Sequence, residues 1–79
     1  MMQLNNFAIL MEAKWLINQH KGGHERLQSH EIIKLMKAEI KELEKALEDK
    51  DYKNAALECA DVANYCMFLS DKLINRKLV

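Results

Sequence analysis

Proline is absent from the chain, and its only two glycines stand side by side at Gly22 and Gly23. A β-sandwich or barrel needs turn residues every few positions, and this sequence has almost none. Charge of one sign is also missing: twelve basic residues face twelve acidic ones. That balance argues against nucleic acid or an anionic membrane as the partner. The small basic cluster Lys72, Arg76 and Lys77 reads as cations over the negative end of a helix. No long hydrophobic run occurs. The opening MMQLNNFAILMEAKWLINQH is broken by Glu12 and Lys14, and has neither a basic leader nor a small-residue cleavage site. Neither a signal peptide nor a membrane span is expected, and a cytoplasmic location follows. Cysteine is scarce. Cys59 and Cys66 fall seven apart on one predicted helix, roughly 10 Å from each other. That is too far for a mutual disulfide, so they read as small buried hydrophobes in a reducing compartment.

What is present favours helix. Ala, Leu, Met, Glu and Lys dominate, all good helix formers. The fold class is all-α, with one domain over residues 1–79. The first helix is predicted from Met2 to His20, with an apolar stripe of Phe7, Leu10, Met11, Trp15 and Asn18. Gly22 and Gly23 end it. Ser29 is the predicted N-cap of a second helix, with Glu31 in its first turn. Its buried seam is Ile33, Met36, Ile40, Leu43 and Leu47. Asp49 or Asp51 caps a third helix from Tyr52 to Arg76. One stripe there is Ala55, Cys59, Val62, Cys66, Leu69 and Leu73. A second is Ala56, Ala60, Ala63, Met67 and Ile74. So wide an apolar arc is packed on more than one side. A chain of 79 residues buries only roughly 60% of its unfolded surface alone. A helical hairpin plus N-terminal helix, assembling with a second subunit into a four-helix-type bundle, is therefore expected.

Four acids carry the chemistry. In LECADVANYC, Glu58 and Asp61 stand one turn apart inside an apolar stretch; in AEIKEL, Glu39 and Glu42 repeat that spacing. Acids three apart share a helix face, and Glu39 lies on the shoulder of the buried seam. A short loop between helices two and three makes them an antiparallel hairpin. Glu42 and Glu58 are each about eight residues from the turn, so the acids meet at one height and can converge on one patch. Gathered carboxylates repel, and a hard divalent cation offsets this best; Mg²⁺ is held by a few carboxylates together with substrate phosphates.

This order of motifs, ExxE at Glu39–Glu42 and ExxD at Glu58–Asp61, resembles the signature of the MazG-like all-α NTP pyrophosphohydrolase superfamily. ECADVANY is similar to what members carry at the second motif, and the KGGH stretch after a tryptophan-bearing helix is similar to some of them. The resemblance spans roughly residues 14–73. It implies hydrolysis of a nucleoside triphosphate to the monophosphate and pyrophosphate, as nucleotide-pool house-cleaning, with Mg²⁺ or Mn²⁺ as cofactor. It implies Glu39, Glu42, Glu58 and Asp61 as metal ligands, with Glu39 also orienting or deprotonating the water. It further implies a homodimer or homotetramer of helical hairpins. Ala38 stands where many members carry a further Glu.

Around the acids, Asn64 is placed to meet phosphate or ribose, Tyr65 to line a nucleotide pocket, Trp15 to stack on a base and Lys72 to meet phosphate. Each has a plainer reading as packing or solvated surface. His20 and His24 lack the companions a zinc site needs, and no Glu-x-x-His marks a di-iron bundle. The alternative function is an inactive helical interaction module of the same fold, favoured by Ala38 and the short chain.

Overall fold

The computed structural model of the protein describes residues 2–18 and 26–75. The predicted glycine stop at Gly22–Gly23, the helix end at His20, and His24, Arg76 and Lys77 lie outside them, as does the side chain of Asn18. The described residues form three helices and no strand: α1 (Leu4–Asn18), α2 (Ser29–Glu48) and α3 (Tyr52–Asn75). No helix among the described residues is long and apolar enough to cross a membrane.

The α2 start is one residue earlier than predicted. Gln28, not Ser29, is the N-cap, with an extended backbone at φ −82° and ψ 162°. Its N–H donates to Glu31 Oε1 at 3.0 Å. Glu31 thus satisfies the cap residue itself, and the serine falls inside the first turn.

The α2–α3 turn is tight and fully specified. Lys50 takes the left-handed conformation, φ 57°. Lys50 N–H donates to Leu47 O at 3.1 Å, and Asp51 N–H donates to Ala46 O at 2.9 Å. That pair of bonds is the Schellman closure of a helix C-terminus. Asp51 then opens α3, its Oδ1 accepting from Asn54 N–H at 3.2 Å, so of the two predicted caps Asp51 takes the role. The result is an antiparallel hairpin. Both α1 and α2 pack on α3.

The buried line on α2 differs from the predicted seam. Ile32 and Ala46 are buried, and Met36, Glu39 and Leu43 are half-buried. Ile33, Ile40 and Leu47 are exposed. The helix presents two adjacent apolar rows, and α3 covers the row that includes Glu39. On α3 the correction is larger. Ala55, Glu58, Ala60, Asp61 and Asn64 are buried, whereas Ala56, Cys59, Cys66, Met67, Leu73 and Ile74 are exposed. The cysteines are free and exposed, not buried as predicted, although Cys66 Sγ touches Met36 Sδ at 3.8 Å. The polar line of α3 faces inward, and much of its apolar arc faces out. The narrowest dimension of the chain, 23 Å, is about two helix diameters, so each helix keeps a solvent side.

Candidate metal centre

Glu39 comes from the middle of α2; Glu58 and Asp61 come from successive turns of α3. The antiparallel hairpin sets them at one height. One carboxylate oxygen from each lies within 4.8 Å of the other two. Glu58 and Asp61 are only 8% and 6% exposed. Like charges at that separation repel by on the order of 3 kcal/mol per pair at an effective dielectric near 20.

The cluster relieves this strain in two ways. Burial, contact with the Glu58 side chain, and the charges of Glu42, Glu58 and Asp61 push the Glu39 carboxyl up to about 8. Glu39 therefore holds a proton at neutral pH. Secondly, Lys14 of α1 places its Nζ 3.2 Å from Asp61 Oδ2, and the lysine side chain is only 17% exposed. Tyr65 feels the same field: burial first, then Glu39, Asp61 and Glu42, raise its phenol above the usual range.

Two carboxylate oxygens of the cluster remain unsatisfied, as does the nearby amide oxygen Asn64 Oδ1. Glu39 Oε2 and Glu58 Oε2 are buried and accept from no donor. Buried carboxylate oxygens normally find a donor or a cation. An all-oxygen set with lone pairs left over suits a hard divalent ion rather than zinc or copper.

The remaining predicted site residues fall as follows. Glu42 lies outside the tight trio. It is exposed and lines a 210 Å³ recess toward the hairpin turn with Lys45, Asp49, Asp51, Asn54 and Glu58. Asn64 is buried, and its Nδ2 donates to the Met11 carbonyl at 2.9 Å; it anchors α1. Trp15 is half-buried and tilts against Phe68, ring centroids 4.2 Å apart at 45°. Trp15 and Asn64 also line a 270 Å³ cavity with Ala8, Met11, Glu12 and Met67. Tyr65 is half-buried beside the acids. Lys72 is half-buried three turns beyond Asp61, about 16 Å along the helix, and is not brought to the trio.

Lys14 was not foreseen as part of the site. A signal existed: it stands three after Met11 and four after Leu10, on the apolar stripe of α1 where a lysine needs a partner.

Comparison with protein-family models, with curated proteins and with solved structures gives no match for this chain.

Proposed function

We propose that the chain is a divalent-metal-dependent nucleoside triphosphate pyrophosphohydrolase of the MazG-like kind, releasing a nucleoside monophosphate and pyrophosphate. One observation carries this reading. Glu39, Glu58 and Asp61 offer convergent oxygens within 4.8 Å, and two of these side chains keep a buried oxygen without a donor. Packing alone gives no reason to assemble such a group.

Glu39, Glu58 and Asp61 would hold the ion, with Glu42 adding negative charge from the rim. Mg²⁺ or Mn²⁺ bound there would neutralise phosphate charge and act as a Lewis acid. The chain's own groups supply the rest. Glu39 carries a proton at neutral pH with its carboxyl raised to about 8; once ionised beside a bound cation it would be able to orient an attacking water and take its proton. The cavity of 270 Å³ beside Trp15, Met11 and Met67 has apolar walls fit for a flat base.

A second copy of the chain fits the uncovered row Ile33, Ile40 and Leu47, of which Leu47 is 52% exposed. Their seven-residue spacing forms one ridge along α2, and a paired hairpin would complete a four-helix bundle as a homodimer or homotetramer. Free exposed thiols at Cys59 and Cys66 suit a reducing cytoplasm.

The inactive-module reading has one observation of its own. Lys14 already gives Asp61 a cation, so a purely structural cluster could persist without metal. A panel of nucleoside triphosphates with Mg²⁺, scored for pyrophosphate, separates the two. Release that stops in excess chelator and in Asp61→Asn supports the enzyme. No turnover of any triphosphate, with Mg²⁺ leaving the melting temperature unmoved, supports the module.

A further inference from the structure

The cation already seated at the carboxylate cluster comes from a different helix than the acids. Lys14 Nζ reaches Asp61 Oδ2 at 3.2 Å, and the Asp61 side chain is 8% exposed. The pair is thus far less hydrated than a surface ion pair, and removing either partner would leave a buried charge uncompensated. Asp61 is also one of the three convergent ligands. We propose that Lys14 is the resident counter-ion of this cluster, competing with a divalent cation for Asp61, so that metal loading requires the ammonium to leave. The inference rests on the metal centre proposed above and deepens it: the affinity of the site is set in part by α1.

Three features make the exchange workable. The lysine stem is flexible, and its ammonium is a point charge that can be re-aimed. The other links of α1 to α3 do not depend on it: Asn64 Nδ2 holds the Met11 carbonyl at 2.9 Å, and Trp15 rests on Phe68. Helix α1 therefore stays docked when the ammonium moves. Finally, the carboxylate oxygens without donors are on Glu39 and Glu58, not on the carboxylate that Lys14 serves. The lysine neutralises one corner of the trio and leaves the others open to a cation.

The test is a titration with Mn²⁺ alone, free ion followed by electron paramagnetic resonance, on the whole chain and on Lys14→Met, Lys14→Gln and Lys14→Arg. Removing the competitor is expected to tighten Mn²⁺ binding about fivefold in Lys14→Met and Lys14→Gln, while Lys14→Arg stays within about twofold of the parent. Mg²⁺ is expected to raise the melting temperature of the neutral variants more than that of the parent. Circular dichroism identifies which neutral variant is folded, and either one serves. Equal or weaker Mn²⁺ binding in a folded neutral variant, with the parent binding normally, overturns the counter-ion role and leaves the metal centre standing. No Mn²⁺ binding in the parent or the variants overturns the metal centre and this inference together.

Discussion

The carboxyl groups of Glu39 and Glu58 meet across the α2–α3 interface, and each keeps one buried oxygen that accepts from no donor. Two ionised carboxylates cannot hydrogen-bond to one another, so the contact needs a shared proton or a cation. Without metal it is the proton, held on Glu39, whose carboxyl rises from 4.5 to about 8.

That proton makes stability pH-dependent. Between pH 4.5 and about 8 the folded chain retains a proton on Glu39 that the unfolded chain has released. Folding takes up a proton over this window, so stability falls as pH rises through it. Below the window both states are protonated, and the full contribution is present. Above it the contribution is lost. Thermal melts in chelator across this range are expected to decline with pH, and Glu39→Gln, which cannot ionise, is expected to flatten the decline. A melting temperature that climbs from pH 5 to 8 through the same group would refute the assignment.

Metal should reverse that trend. A divalent ion binds the ionised trio, so it competes with the Glu39 proton, and Mg²⁺ is expected to stabilise most at the alkaline end. At a hundredfold excess over Kd, binding to the folded state alone contributes about 2.7 kcal/mol. For a chain of this size that is roughly 10–20 °C in melting temperature. Glu58→Gln and Asp61→Asn are expected to lose the response. Calorimetry with and without Mg²⁺ at pH 6 and pH 8.5 checks this, and an equal shift in the Asp61→Asn variant would remove Asp61 from the ligand set.

The hairpin and the meeting of three of its four acids, Glu39, Glu58 and Asp61, are legible because the relevant physics is local; Glu42 stays on the exposed rim. The spacing of Glu58 and Asp61 fixes one face, and the short link through Asp49–Asp51 fixes which residues share a height. The rotation of each helix about its axis was not legible. On α2 the rows Ile32–Met36–Leu43 and Ile33–Ile40–Leu47 are equally apolar by sequence, and only contact with α3 decides between them. On α3 the inward line is Glu58, Asp61 and Asn64. Hydrophobicity ranks that line last, so apolar periodicity alone points Cys59 and Cys66 inward, whereas both are exposed. A buried acidic site inverts the rule by which burial is read. Lys14 went unseen for the same reason: its partner is 47 residues away in sequence, and no local pattern announces it.

The turn offers a separate test of how the trio is held in register. Lys50 sits at φ 57°, where a β-carbon costs energy that glycine avoids. Lys50→Gly is expected to stabilise the chain by about 0.5–1 kcal/mol, reduced somewhat by the freedom glycine adds to the unfolded state. Asp51→Ala removes the acceptor for Asn54 N–H and is expected to cost about 1 kcal/mol. Chemical denaturation of both variants reads these changes directly. A destabilised Lys50→Gly would mean that the left-handed residue is not where the turn is closed.

Docking of α1 rests on the ring contact between Trp15 and Phe68, 4.2 Å between centroids, and on the bond from Asn64 to the Met11 carbonyl. Trp15 is the single tryptophan of the chain, so tryptophan fluorescence reports on the surroundings of this one residue. Trp15→Ala removes an aromatic pair and part of the cavity wall, and is expected to cost about 2–3 kcal/mol. In the proposed reaction it should raise KM for a triphosphate more than it lowers kcat, because the acids on α2 and α3 are untouched. Trp15→Phe should recover most of the stability and part of the KM. Phe68→Ala is expected to shift Trp15 emission to longer wavelength while the helical content of the α2–α3 hairpin persists. Loss of helicity together with the emission shift would mean that α1 is needed to hold the hairpin, and with it the trio, in place.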